Sequence, residues 1–207
     1  MTPEEIYTKL YLATEDQRRH PTKGVLDPYG SDDKRDVHFL KYLADNFGLE
    51  GQRILDASCG RGHLLRSLLA FGYQAEGTEF VDCLFKTELA DLPVKKLAYQ
   101  DLSTIEESGI YDAVISNDVL EHLPGPKEAI EAMEQLARLS NNLLLISIGV
   151  GRAPKFGHAF NTGWDLHTVK ESERWWAKRA SKVMDIDYQE RFGGSVYLFG
   201  KVKGRPS

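Results

Sequence analysis

The chain is poor in cysteine and lacks a long apolar run. Its 207 residues include two cysteines, Cys59 and Cys83, whose spacing fits neither a disulfide framework nor a zinc site. No stretch approaches the roughly 20 apolar residues of a membrane-spanning helix. The acidic start of the chain also lacks the basic-then-apolar layout of a signal peptide. These absences predict a cytoplasmic protein with no membrane contact and no bound metal.

An excess of positive charge is also absent. The formal net charge is −5, which argues against a nucleic-acid partner because phosphate binding usually needs a basic face. The segment 152–182 is locally positive, with seven Lys or Arg against three Asp or Glu. The composition therefore favours a small-molecule substrate, and it leaves the oligomeric state open.

The most informative segment is residues 53–70, which contain a glycine turn between a predicted strand and a predicted helix. Ile54 and Leu55 indicate the end of a buried strand, and Gly60 and Gly62 allow a tight turn that brings bare backbone close to a ligand. Residues 63–70 then have helical spacing. A strand, a glycine turn and a helix start predict a cradle for a nucleotide cofactor. An ordinary strand-to-helix turn is the alternative.

The turn does not match the pyrophosphate-binding pattern G-x-G-x-x-G, since Leu65 stands where the third glycine belongs. No Lys-Ser or Lys-Thr pair follows, so a P-loop is excluded. Asp56 lies just ahead of the turn, where its charge would repel a pyrophosphate and attract an ammonium group. The pattern therefore favours a cofactor that carries an amino acid.

Two further acids follow predicted strands at the spacing that such a cofactor requires. Glu79 ends a second strand about 20 residues after the turn, where a carboxylate can accept both ribose hydroxyls. Phe80 beside it can cover an adenine face. Asp101, with Leu102, closes a third strand over 94–100, and its carboxylate can accept the adenine amino group.

The ordered set of motifs resembles the class I S-adenosylmethionine-dependent methyltransferases, and it is most similar to the branch with a D-V-L-E-H-L-like run after strand 4. The resemblance covers about residues 50 to 150. The residues that carry it are Asp56, Cys59, Gly60, Gly62, Glu79, Asp101, Leu102 and the run 117–122. Ser58 departs from it, because the family more often has glycine there.

The resemblance implies S-adenosylmethionine as the cofactor and S-adenosylhomocysteine as its product. It implies that Gly60 and Gly62 pass under the methionine and ribose, with Ser58 and Cys59 in the same turn and Asp56 near the amino group. Glu79 would hold the ribose. Asp101 and Leu102 would contact the adenine, and Asn117 would lie beside the sulfonium.

The alternation of strands and helices predicts an α/β fold: a Rossmann-like, doubly wound, mostly parallel seven-stranded sheet with an antiparallel C-terminal hairpin and helices on both faces. We expect one domain over 1–207. It would comprise leader helices over the cofactor pocket (1–50), a cofactor-binding core (50–148), a substrate loop and helix (149–183) and a closing hairpin (184–204). Thr168 and Glu171 fit a capping box that opens the helix of the substrate segment.

Three histidines are candidates for a general base: His167 first, then His122 and His158. His122 follows the fourth strand, and the other two lie in the long loop after the fifth. Packing or helix-start hydrogen bonding is the alternative role for each. We therefore expect in-line methyl transfer to an oxygen or nitrogen of a small polar acceptor. Two other functions remain open, namely a non-catalytic S-adenosylmethionine-binding module and a methyltransferase acting on protein or RNA.

Overall fold

The computed structural model describes residues 33–47, 51–150, 167–192 and 194–205, together with Glu5 and Thr8. Its strands are β1 (Arg53–Ala57), β2 (Gln74–Glu79), β3 (Val94–Lys96), β4 (Tyr111–Asn117), β5 (Ser140–Gly149), β6 (Met184–Phe192) and β7 (Ser195–Val202). Its α-helices are α1 (Asp33–Phe47), α2 (His63–Ala70), α3 (Asp82–Phe85), α4 (Pro126–Leu139) and α5 (Glu173–Val183). Two 3₁₀ turns span Tyr99–Thr104 and Leu120–His122.

The strands form one seven-stranded sheet in the order β3-β2-β1-β4-β5-β7-β6. Strands β1 to β5 are parallel, and β7 pairs antiparallel with both β5 and β6. The predicted fold class, including the closing hairpin, is confirmed. The order changes direction between β1 and β4, so the crevice at their carboxyl ends is the expected ligand site of such a sheet.

The parallel strands are apolar because helices cover both faces of the sheet. On one face, Leu136 of α4 and Trp176 of α5 pack against Leu144 of β5 and their neighbours. On the other face, Phe39 and Leu43 of α1 pack with Leu65 of α2 against the sheet. Each face therefore carries its own buried layer, and the loops at the strand ends rest on rigid elements.

Three local predictions are wrong at their boundaries. The third strand ends at Lys96 instead of residue 100, because Tyr99 starts a 3₁₀ turn and buries its side chain. Between the second and third strands the sequence predicts a helix over 82–91, but the helix ends at Phe85 and the chain continues as turns. The capping box is also wrong: Ser172, not Thr168, is the N-cap of α5, and its Oγ accepts a hydrogen bond from Trp175 N at 3.2 Å.

Within the described ranges, no helix is both long and apolar enough to cross a bilayer. Of the leader segment 1–50, the structure describes residues 33–47, Glu5 and Thr8. The rest of that segment and the long loop after Val150 that includes His158 lie outside the described residues.

Candidate active site

The glycine turn after β1 is held against the end of β2 by a set of backbone hydrogen bonds. Cys59 N donates to Thr78 O at 2.9 Å, and Ser58 N donates to Thr78 Oγ1 at 3.1 Å. Gly60 N donates to Oε2 of Glu79 at 2.9 Å. The two predicted parts of the cofactor site, the glycine turn and the β2 acid, are therefore in direct contact.

Glu79 is 2% exposed and is fixed from both sides. Its Oε1 accepts hydrogen bonds from Phe80 N at 2.7 Å and from Val81 N at 3.1 Å, while Oε2 accepts the one from Gly60. Burial raises the pKa of this carboxyl, and the three backbone donors partly counter that effect. The result is a preorganised acceptor at the carboxyl end of β2.

Gly62 adopts a left-handed conformation with φ of 75° and precedes the first residue of α2. A Cβ at this position would lie 2.5 Å from Cδ1 of Leu92 and 3.0 Å from Cδ2 of Leu89. Arg61 is buried beside it and forms an ion pair with Glu88. The chain after α3 is therefore packed onto the glycine turn, and only glycine fits there.

Asp56 is 2% exposed at the end of β1. Its Oδ2 is buried and accepts no hydrogen bond from the residues that the structure describes. Burial, followed by the charges of Asp36 on α1 and of Glu79, raises the pKa of Asp56 to about 8. This buried acid, with a second acid facing it from α1, is suited to a cationic ligand group.

Burial also raises the pKa of the Cys59 thiol far above its ordinary value, and the charges of Asp56 and Glu79 add to the effect. The thiol is therefore neutral at physiological pH. This argues against a nucleophilic role for the cysteine.

The adenine end of the site is less defined. Asp101 is exposed in the 3₁₀ turn after β3, and Leu102 beside it is fully buried in the core layer with α4. Phe80 is half-buried next to Glu79. These residues come after the carboxyl ends of neighbouring strands, at the same edge of the sheet as the glycine turn, as predicted.

Backbone strain marks both sides of the crevice. Among the described residues, the non-glycine positions with positive φ are Ser58 at 59° and Asp118 at 52°. Ser58 follows β1 and Asp118 follows β4, the two strands between which the sheet order changes direction. Such strain is concentrated at functional sites. The positive φ of Ser58 is consistent with glycine being more common at this position, because glycine adopts the same backbone without cost.

Asn117 ends β4 and is oriented by Ser147 of β5. Ser147 Oγ lies 2.7 Å from Asn117 Oδ1 and 3.0 Å from Asp118 Oδ1, and Asp118 N donates to Ser147 Oγ at 3.0 Å. Sequence reasoning missed Ser147, because a serine in an apolar strand gives no signal before the strand order is known.

Beyond Asn117, the structure brings together the predicted histidines His122 and His167 and adds Glu121. The two imidazole rings meet edge to face with centroids 4.8 Å apart. Glu121 is fully buried and His167 is 8% exposed, while His122 is half-buried. The sequence contains a signal for Glu121, which stands next to His122 in the D-V-L-E-H-L-like run that follows β4.

Comparisons with known proteins agree with this arrangement. A family model described as a methyltransferase domain matches residues 32–181. The ubiquinone biosynthesis O-methyltransferase of Xanthomonas oryzae pv. oryzae is 28% identical over 116 residues, which cover 53% of this chain and 48% of that protein. The protein of the same name from Aromatoleum aromaticum is 30% identical over 115 residues, with 53% and 49% covered. The chain thus spans about half the length of these curated relatives.

Two solved structures share the fold. The magnesium protoporphyrin IX methyltransferase of Synechocystis PCC 6803 with bound S-adenosylmethionine superposes with a TM-score of 0.66 at 20% identity, covering 98% of both chains. An O-methyltransferase family protein from Burkholderia thailandensis gives a TM-score of 0.59 at 15% identity, covering 99% of this chain and 72% of that one. The chain belongs to the methyltransferase domain family and has the fold of the class I S-adenosylmethionine-dependent methyltransferases.

Proposed function

We propose that the chain transfers a methyl group from S-adenosylmethionine to a hydroxyl oxygen, or to a nitrogen, of a small polar acceptor. The observation that carries this proposal is the contact between the glycine turn and Glu79 beside the buried Asp56. This arrangement offers a backbone cradle, a ribose acceptor and a carboxylate for an ammonium group within one crevice.

The cofactor residues keep the roles that the resemblance implies. Gly60 and Gly62, with Ser58 and Cys59, would run beneath the methionine and ribose, and Asp56 would face the amino group. With a pKa of about 8, Asp56 is largely protonated near neutral pH in the unliganded chain, and a bound ammonium group would shift it to the ionised form. The remaining cofactor contacts would come from Glu79, Phe80, Asp101, Leu102 and Asn117.

The acceptor side would be formed by Glu121, His122 and His167 beyond the β4 end. S-adenosylmethionine supplies an activated methyl group on a sulfonium. The acceptor oxygen forms the new bond to the methyl carbon, the S–CH₃ bond breaks, its electron pair stays on sulfur, and the hydroxyl proton leaves. An imidazole can take that proton directly, since its ordinary pKa is about 6.5. His158, outside the described residues, stays a further candidate.

The relatives favour oxygen as the acceptor atom. The curated relatives are named O-methyltransferases of ubiquinone biosynthesis, and a hydroxyl acceptor requires the proton removal that an imidazole provides.

The same proposal includes the division of the chain into leader helices (1–50), cofactor core (50–148), substrate segment (149–183) and hairpin (184–204). It also includes a cytoplasmic setting.

The cofactor half is tested by calorimetry with S-adenosylhomocysteine on the purified chain. We expect binding to the wild type and at least a tenfold loss in Glu79→Gln, because the amide places a donor among backbone N–H groups and lacks one ribose acceptor. The matched control is Glu106→Gln, an exposed acid after the 3₁₀ turn at β3, which should bind as the wild type does. Folded wild type that binds no S-adenosylhomocysteine would contradict the proposal.

The catalytic half is tested by S-adenosylhomocysteine release with a panel of small hydroxyl and amine acceptors. Turnover with such an acceptor supports the proposal. Cofactor binding without turnover on any acceptor class would instead favour the non-catalytic binding module.

One observation favours a macromolecular acceptor as the second candidate. Arg174, Lys178 and Lys182 are exposed at four-residue spacing on α5, with exposed Lys170 ahead of the helix. This spacing forms a positive stripe on one helix face. Binding to RNA with a steep salt dependence would support that alternative.

A further inference from the structure

We propose that Glu121, His122 and His167 form a binding site for one divalent transition-metal cation. The side chains each offer a ligand atom, and these atoms all lie within 4.8 Å of one another. The residues come from two distant parts of the chain, the turn after β4 and the segment before α5. This proposal replaces the sequence-based expectation that the protein binds no metal.

The donor set suits a first-row cation. Two imidazole nitrogens and one carboxylate oxygen are typical ligands of zinc, iron and manganese. Ligand atoms lie ~2.1 Å from such an ion, so opposite ligands are at most ~4.2 Å apart. The observed limit of 4.8 Å is slightly wider. The set would therefore have to contract by less than ~1 Å around an ion, and His122 is its half-buried member.

The carboxylate of the cluster is held in place before any ion binds. Gly149 N, at the end of β5, donates a hydrogen bond to Glu121 Oε1 at 2.6 Å. The backbone oxygen of Glu121 accepts from Thr168 N at 2.9 Å and from Val169 N at 3.0 Å. Glu121 is thereby tied both to β5 and to the segment that carries His167. Fixed ligands of this kind favour metal binding.

The absence of a side chain at Gly149 also allows Glu121 and His167 to approach each other. A Cβ on Gly149 would lie 2.7 Å from Glu121 Oε1 and 2.7 Å from Cε1 of His167. The missing side chain leaves room for the carboxylate and the imidazole to meet above the end of β5. The glycine and the three ligands together therefore form a compact polar pocket of the kind a cation occupies.

The position of the cluster gives a bound cation a use. Glu121 follows Asn117, the proposed neighbour of the sulfonium, by one short turn. Three protein ligands leave coordination positions open, as in catalytic metal sites. A cation there would bind an acceptor hydroxyl, lower its pKa and orient the oxygen. Because both imidazoles would then be ligands, the proton would pass to solvent, and this route would replace the imidazole base described above. This use rests on the proposed methyl transfer, whereas metal binding itself does not.

The test uses the full chain stripped with chelator and titrated with CoCl₂, ZnCl₂ or MnCl₂ by calorimetry. Cobalt absorption in the visible range reports imidazole and carboxylate coordination directly. We expect one cation per chain, with affinity reduced at least tenfold in Glu121→Gln and in His167→Asn. Glu121→Gln keeps an oxygen that can accept the Gly149 N–H bond, so the fold is preserved. The matched control is Glu131→Gln, an exposed acid on α4, which should bind as the wild type does.

Circular dichroism establishes that each variant is folded, and His122→Asn serves as a further variant at the most accessible ligand. Folded wild type that binds no cation, or that binds it equally after Glu121→Gln and His167→Asn, overturns the proposal. Calorimetry with S-adenosylhomocysteine in the same samples separates the two hypotheses. If the chain binds S-adenosylhomocysteine but no cation, only the proposed metal site is contradicted. If it binds the cation but no S-adenosylhomocysteine, only the proposed cofactor is contradicted.

Discussion

At the scale of the single residue, burial changes the charge state of Asp56 in the proposed site. Its ordinary pKa of 3.8 is raised to about 8 by burial, followed by the charges of Asp36 and Glu79. Between these two pH values the folded chain holds a proton that the unfolded chain has lost. The free energy of unfolding therefore falls as pH rises from about 4 to 8, and Asp56 has no further effect above that range.

We expect Asp56→Asn to remove this loss of stability. Its melting temperature should exceed that of the unliganded wild type by an amount that grows up to about pH 8 and then stays constant. A difference of about 1 kcal/mol corresponds to roughly 2–4 °C for a chain of this size. Thermal melts across the pH range measure it. Asp45→Asn, at an exposed acid of α1, gives the comparison for loss of an acid at the surface, and a pH-independent gap for Asp56→Asn would contradict the assigned cause.

The glycine turn between β1 and α2 is an element whose shape depends on the chain packed over it. In Gly62→Ala the alanine has to adopt a left-handed backbone conformation, and its Cβ would lie 2.5 Å from Cδ1 of Leu92. We expect a loss of about 2 kcal/mol, of which ~1 kcal/mol is backbone strain. Denaturant unfolding measures it.

Gly51→Ala is the matched control, since Gly51 also has positive φ but nothing lies within 4 Å of its Cβ position. It should lose only the backbone part. Adding Leu92→Ala to Gly62→Ala should recover the packing part, when compared with Leu92→Ala alone. Equal losses at Gly51 and Gly62 would show that the packed leucine does not matter.

Two residues are candidates for the N-cap of α5: Thr168 from the sequence and Ser172 from the structure. Ser172 Oγ accepts from Trp175 N, so Ser172→Ala should lower the free energy of unfolding by about 1 kcal/mol. Glu171→Ala should leave it unchanged, since Glu171 lies ahead of this N-cap. Chemical denaturation of both variants measures the difference. Destabilisation by Glu171→Ala alone would instead support the capping box predicted from Thr168.

These elements show what local sequence can and cannot predict. The glycine turn, α2 and the hairpin follow from hydrophobic period and turn residues, and α2 has its predicted bounds. Thr168 failed as a cap because its hydroxyl donates to the backbone oxygen of Leu123, a contact 45 residues away. Likewise, the meeting of Glu121 with His167 depends on β4 lying beside β5. Sequence patterns within one segment do not contain such long-range contacts.

On the scale of the whole molecule, Gly200 is a point at which the C-terminal hairpin is joined to the rest of the sheet. This glycine of β7 pairs with Leu144 of β5 and with Ile186 of β6. A Cβ on it would collide with the backbone oxygen of Asp185 and lie 2.7 Å from the carbonyl carbon of the same residue. Because backbone atoms cannot rotate away, the strand pair would have to separate.

We therefore expect Gly200→Ala to lower the free energy of unfolding by about 3 kcal/mol, or to prevent stable folding. Calorimetric melting measures it. Gly204→Ala, whose Cβ position has nothing within 4 Å, serves as the control beyond β7 and should lose about 1 kcal/mol or less. A Gly200→Ala chain as stable as the wild type would show that β6 and β7 can part without cost.

The insertion of β7 between β5 and β6 has a consequence during synthesis. A ribosome releases the chain from its amino end, so β1 to β6 emerge before the strand that belongs in the gap. Until residues 195–202 are free, β5 of the nascent chain presents an open apolar edge to other newly made polypeptides. We expect this interval to be when the chain depends most on chaperones.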